Sequence, residues 1–305
     1  MTIINNKKNI NTEGMRSKVF KVKIIRKYFQ ISYFKIVYSY FKKVPVNAKL
    51  SNGEIIKNVR LNVLSDLSLL LEKGWAIENI GEKGIITINN HEVSIICRIN
   101  KGFDIGHLVE IFIKEVYKDN FKERNVIDIG MSNGDSSIYF AMNGAKKVIG
   151  VEPFPESFNL AKINVENSKM KDKIILINKA LSFENGKTEL ITLKNYPNAN
   201  SIDESNMVTI NDSRESILVD EITLDDIIQM FDGEDIYLLK MDCEGCEYKV
   251  LHSVNKTLLK RVKKIILEFH NGVQSIDKLL YEAGFKVDIK GELTKMGYLI
   301  AERKE

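Results

Sequence analysis

From residue 125 onward, short apolar runs bounded by turn residues alternate with longer stretches of helical periodicity. That is the pattern of buried strands joined by helices. It predicts strands over residues 126–129, 148–151, 173–178, 235–242 and 264–269, with extra strands at 188–193 and 216–219. Helices are expected at 135–142, 155–167, 223–231, 246–252 and 276–283, and a closing antiparallel pair at 285–289 and 297–302. Ahead of this lie two hairpin patterns. One spans 47–59 about Ser51-Asn52-Gly53, and the other spans 84–99 turning at Asn89-Asn90, with a leucine-rich helical turn at 66–72 between them. An amphipathic helix over 104–116 leads into the first core strand. The fold class expected is α/β, Rossmann-like, in three parts: a basic aromatic segment 1–43, a small β-rich accessory region 44–103, and the main domain 104–305.

The stretch with the most chemistry is 125–153, NVIDIGMSNGDSSIYFAMNGAKKVIGVEP. The apolar strand ends at Asp128 and Gly130, a tight turn runs to Gly134, and Asp135, Ser136 and Ser137 open a helix with capping chemistry. The next strand delivers Glu152 about twenty residues on, where an acid can accept the hydroxyls of an adenosine ribose. Backbone N–H groups of the turn and the helix N-terminus favour an anionic group. The turn reads G-x-x-x-G, with Ser132 where a dinucleotide-binding loop has its middle glycine. That disfavours close approach of a pyrophosphate.

Asp128-Ile-Gly-x-x-x-Gly134-Asp135-Ser136, then Glu152-Pro153-Phe154-Pro155, resembles the S-adenosylmethionine-binding core of the FkbM-family methyltransferases. Lys240-Met-Asp-Cys-Glu-Gly-Cys-Glu247 and Leu267-Glu-Phe-His270 follow in the same order, and the resemblance spans about residues 104–303. It implies a class I methyltransferase sheet and S-adenosylmethionine as cofactor. The cofactor set it implies is Asp128, Gly130, Ser132, Gly134, Asp135, Ser136, Glu152, Pro153, Asn178, Ala180 and Asp242, with Asn178 and Ala180 near the adenine. His107 and Glu110 are substrate-side candidates by the same resemblance.

Methyl transfer from a sulfonium is an in-line displacement helped chiefly by holding donor and acceptor in line. A hydroxyl acceptor also benefits from a base or a cation that removes its proton. Asp242, Glu244, Glu268 and His270 are the catalytic candidates, with Asp242 and His270 at carboxyl ends of expected strands. A divalent metal held by Asp242 with one of the others is open; none is assigned. Lys240 is read as a partner for a carboxylate, and His91 and His252 as solvated or structural residues.

Charge separates the ends of the chain. Residues 1–43 hold eleven Lys or Arg against Glu13 alone, an excess of +10, so the overall +4 leaves the remainder at −6. Eight of the 25 Phe and Tyr residues fall within 16–43, where Lys18, Lys21, Ser32, Lys35, Ser39 and Lys42 share one helical face. Three readings of this segment are open: an interfacial helix on anionic lipid, a helix docked on the body or a second subunit, or a single-stranded nucleic-acid contact, the last least favoured. Residues 1–14, polar and Asn-rich, are expected to lack structure, and 194–212 is a candidate substrate lid.

Cys97, Cys243 and Cys246 do not form a disulfide framework, and Cys243-x-x-Cys246 is half a zinc site at most, so these are read as small packing residues. Reduced thiols and no leader pattern suggest a cytoplasmic protein, at most peripheral to a membrane. The function that the FkbM resemblance implies is O-methylation of a glycan, glycolipid or natural-product-like hydroxyl. The alternatives are a non-catalytic binding or scaffold protein on the same fold and a nucleotide-dependent enzyme.

Overall fold

The structure is a computed structural model that describes residues 21–197, 199–202 and 213–304. The expectation for residues 1–14 and most of the candidate lid lie outside the described residues. The chain forms two compact units that divide between Lys114 and Glu115, so the helix expected to lead the main domain falls in the first unit.

In the first unit, α1 (residues 21–28) is followed by a short strand β1 (Phe29–Gln30) and then α2 (Tyr33–Lys42). The single long helix is thus broken, and Ser32 restarts it as N-cap by accepting the Lys35 backbone N–H. The expected polar face stays exposed at Lys21, Ser32, Lys35 and Lys42, but not at Ser39. Ile36 and Ser39 of α2 are buried, and the Ser39 hydroxyl is satisfied by the Val44 carbonyl. Tyr33, Phe34, Tyr38 and Phe41 are exposed as well.

Strands β1, β2 (Val46–Leu50) and β3 (Ile55–Val59) make a three-stranded antiparallel sheet containing the first expected hairpin. After α3 (Leu61–Glu72), strands β4 (Ala76–Ile80), β5 (Ile85–Asn89) and β6 (Ser94–Arg98) form a meander; β4 is an addition to the expected hairpin. The Arg98 side chain lies buried against Asp104 at 2.8 Å and ties β6 to the start of α4 (Asp104–Leu108). The expected longer helix continues as one π-helical stretch, Val109–Ile113.

The second unit carries a seven-stranded sheet in the order β15-β16-β14-β13-β7-β8-β9. Its strands are β7 (Asn125–Ile129), β8 (Lys147–Val151), β9 (Ile174–Ile177), β13 (Ile236–Met241), β14 (Val262–Phe269), β15 (Phe285–Gly291) and β16 (Gly297–Arg303). The five from β14 to β9 are parallel, and β16 and β15 close that edge antiparallel. This is the expected mostly parallel, Rossmann-like sheet. β7 is buried at every position, as a central parallel strand must be. Its connections are α5 (Asp135–Met142), α6 (Pro155–Asn167), α7 (Leu224–Gln229), α8 (Cys246–Ser253), α9 (Lys256–Leu259) and α10 (Ile276–Glu282). Strands β10 (Ala180–Ser182), β11 (Lys187–Leu193) and β12 (Arg214–Thr223) form a separate small sheet. Successive strands leave β7 toward β9 on one side and resume at β13 on the other, so the order reverses between β7 and β13. Ligands of such sheets bind beyond the carboxyl ends at that reversal.

Candidate active site

The turn after β7 is held by its neighbours before any ligand is considered. Gly130 and Met131 donate their N–H groups to the Val151 carbonyl at 2.9 and 3.2 Å, and Gly134 donates to Met131 at 2.8 Å. Gly130 has φ +73°, and a Cβ there would stand 1.8 Å from the Asp242 carbonyl oxygen. Gly134, with φ +85°, would bring a Cβ within 3.1 Å of Ala161 on α6. Both glycines therefore serve the close approach of the protein's own segments.

Asp128 works behind the turn. Its Oδ2 accepts the hydroxyls of Ser136 and Ser137 at 2.6 and 2.7 Å, and its Oδ1 lies 3.1 Å from Lys240 Nζ. Lys240 also donates to the carbonyls of Ile129 and Gly130. Burial opposes its charge, but Asp128 and Asp242 outweigh burial and raise its pKa. Asp128 and Ser136, expected at the cofactor, are thus occupied in joining β7, β13 and α5. Asp135 is buried at the first turn of α5, where its Oδ1 accepts the Ser136 N–H at 2.7 Å.

Glu152 follows β8. Its two carboxylate oxygens accept the N–H groups of Ser132 and Phe154 at 3.0 and 2.9 Å, which orients it at the carboxyl end of the sheet. Asn178 spans the same turn, donating to the carbonyls of Glu152 and Pro153 at 2.8 and 3.1 Å. Ala180 opens β10 and is buried in a small apolar cluster with Leu190 and Val219, against which Phe154 packs.

A second group forms after β13 and β14. His270, buried at the end of β14, has Nε2 3.3 Å from Glu244 and 3.8 Å from Glu268, and Nδ1 3.7 Å from Glu247. Asp242, Glu268 and His270 present ligand atoms within 4.8 Å of one another. Burial opposes the charge on His270, yet Glu247, Glu244 and Asp242 push it up to about 10. Glu244 is pushed up to about 8, by burial first, with Asp242, Glu268 and Glu247 adding and His270 opposing. Held this way, His270 is a proton donor at neutral pH, and a base must come from the carboxylates.

Two contributors escaped the sequence reading. Glu247, fully buried, accepts the Gly245 N–H at 3.0 Å and faces His270; it stood inside the downstream motif without being assigned a role. Tyr117 sits N-terminal to β7, outside every motif. Its phenol is held well above the usual range, by burial first and then by the charges of Asp242, Asp128, Glu268 and Asp135.

The cysteine reading is corrected: Cys243 and Cys246 are joined by a disulfide that brackets Glu244 and Gly245. Both of those residues have positive φ, so the bridge closes a sharply turned loop. Joined sulfurs cannot act as thiolate ligands, and the reduced-thiol argument for a compartment falls with them. No helix among the described residues is long and apolar enough to cross a membrane. Ser201, within the candidate lid, donates to the Glu244 carbonyl at 2.6 Å. His107 and Glu110 belong to the first unit, and His91 and His252 are exposed.

No curated protein sequence matches the chain. Among solved structures, a Methyltransferase FkbM from Methylobacillus flagellatus KT is 14% identical, with 65% of this chain and 52% of that chain covered and a TM-score of 0.41. The magnesium protoporphyrin IX methyltransferase of Synechocystis PCC 6803 is 13% identical over 65% of this chain and 79% of its own, with a TM-score of 0.37. A ribosomal protein L11 methylase from Lactobacillus delbrueckii subsp. bulgaricus is 14% identical over 65% and 80%, also at 0.37. Residues 128–287 match the family described as Methyltransferase FkbM domain. That match takes in the Asp128 turn, Glu152, the Asp242–Glu247 loop and His270, and with more than half of the chain inside it, the protein belongs to the FkbM methyltransferase family.

Proposed function

We propose that this methyltransferase moves the methyl group of S-adenosylmethionine to a hydroxyl oxygen of a glycan, glycolipid or natural-product-like acceptor. The observation that carries the reading is one sheet edge with two distinct acidic stations: Glu152 after β8, and Asp242, Glu244, Glu268 and His270 after β13 and β14. The donor set fits the cofactor. Glu152, held by two backbone N–H groups, suits the ribose hydroxyls, and the carboxylates beyond β13 suit a neighbouring positive charge. When bound, the cofactor supplies an electrophilic methyl group on a sulfonium.

The chain's own residues do the rest. Ser132, Asn178 and Pro153 shape the turn around Glu152. Asp242 and Glu268 stand where a carboxylate can accept the acceptor's hydroxyl proton, while His270 as a cation and the Tyr117 phenol can donate to acceptor oxygens. Alignment of the two reactants accounts for most of the expected acceleration. The acceptor class draws support from the first unit, whose exposed aromatic helix suits an acceptor presented at a lipid surface. The test is incubation with methyl-labelled S-adenosylmethionine and fractionated glycan, glycolipid and metabolite extracts. Methyl ethers in the product support the reading, and label found only on nitrogen or carbon overturns it.

A further inference from the structure

We propose that Asp242, Glu268 and His270 form a divalent-cation site at the carboxyl edge of the sheet, a deepening that rests on the hydroxyl-acceptor reading above. Their ligand atoms already lie within 4.8 Å of one another. A six-coordinate ion with bonds of about 2.1 Å holds its ligands some ~3 Å apart when adjacent and ~4 Å when opposite. Small side-chain movements close that gap. Two carboxylates and an imidazole are a mixed oxygen and nitrogen set, suited to Mn²⁺ and similar ions better than to Ca²⁺.

The independent sign is on the far side of the ring. The His270 side chain is 3% exposed, and its Nδ1 makes no hydrogen bond among the described residues. The nearest group is Glu247 Oε1, fully buried and likewise without a hydrogen-bond donor, 3.7 Å away. A ligating histidine typically gives its second N–H to such a carboxylate, which fixes the tautomer and turns the other nitrogen to the metal. Glu247 is placed for this by the Gly245 N–H. The nitrogen left over, Nε2, points to Glu244 and Glu268. A ligating imidazole must be neutral, so a cation bound at Nε2 takes the place of the proton that the surrounding carboxylates otherwise favour on His270. Three protein ligands leave positions open for an acceptor oxygen and water.

The test uses the full chain dialysed against a chelator and titrated with Mn²⁺, with free Mn²⁺ read by electron paramagnetic resonance. One ion per chain is expected. Its binding should weaken at least tenfold in Glu268→Gln and in His270→Gln, and by ~10–100-fold in Glu247→Gln, with circular dichroism checking that each variant is folded. Folded wild type that takes up no Mn²⁺, or equal uptake by the folded variants, overturns the site. Binding of S-adenosylmethionine is measured separately in chelator. Loss of cofactor binding with Mn²⁺ uptake intact would overturn the cofactor reading and leave the cation site standing.

Discussion

The carbonyl oxygen of Asp242 occupies the place where a side chain at Gly130 would begin, 1.8 Å from an ideal Cβ. The two residues follow adjacent parallel strands, β7 and β13, at the reversal in strand order. Their contact brings the cofactor turn and the acidic loop side by side. Gly130→Ala must displace one of the two loops, and the positive φ adds strain. We expect a loss of about 2–4 kcal/mol in stability and weakened cofactor binding, read by urea unfolding and calorimetry. A loss under about 0.5 kcal/mol, the range of ordinary surface changes, would mean that the loops do not meet as described.

Lys240 and Asp128 form a buried ion pair beneath the turn, 3% and 0% exposed. Lys240→Met leaves a buried carboxylate facing two serine hydroxyls without its cation, and should cost about 3–5 kcal/mol. Asp128→Asn/Lys240→Met should recover part of that loss, because no buried charge then lacks a partner. Unfolding of the double variant at the same denaturant concentration as the single one would contradict the pairing.

Asp66 of the first unit is pushed up to about 6, by burial first, with Lys21 and Lys114 opposing and Glu110 adding. A raised acid binds more protons folded than unfolded between its two pKa values, so stability falls as pH rises from about 4 to 6. Above that window the penalty is fully present. Asp66→Asn should therefore stabilise the first unit by roughly 1–3 kcal/mol at pH 7.5 and have little effect at pH 3.5. Melting curves at the two pH values check it, and an equal effect at both would contradict the assignment.

On α2, Phe34 is 83% exposed and Phe41 75%, beside Lys35, Lys42 and Lys43. Aromatic rings with flanking lysines partition to anionic interfaces. The chain should sediment with vesicles containing phosphatidylserine, weakly with neutral ones, and Phe34→Ser/Phe41→Ser should release most of it. A concentration-dependent dimer without vesicle binding would assign the face to self-association instead.

Much of the second unit was legible because its strands are short apolar runs between turn residues, and because Pro155 marks the start of α6 at the observed position. β12 begins earlier and ends later than its apolar part, because most of the residues that extend it, Arg214, Glu215, Asp220 and Glu221 among them, are polar. β4, with Glu78 and Asn79 in its middle, carries too little apolar signal to stand out. The burial of Ser39 on α2 was hidden for a different reason. Ser39 can be buried only because Val44, five residues on, offers its carbonyl, and local spacing does not report that. In the site, the motifs located Glu152, Asp242 and His270 at strand ends, but spacing alone favours packing roles for Cys243 and Cys246 and does not report the disulfide between them. Glu247 gains its meaning only when the first turn of α8 meets the end of β14. Tyr117 enters through charges supplied by β7, β13 and β14 together.

The central claim is that Glu152 anchors S-adenosylmethionine at the carboxyl edge of the sheet. Calorimetric titration of S-adenosylmethionine and its demethylated product into wild type and Glu152→Ala tests it most directly. The account predicts micromolar binding by wild type and a loss of at least tenfold in the variant, or about 1.4 kcal/mol. Equal affinity in both proteins, or no binding by folded wild type, would contradict it.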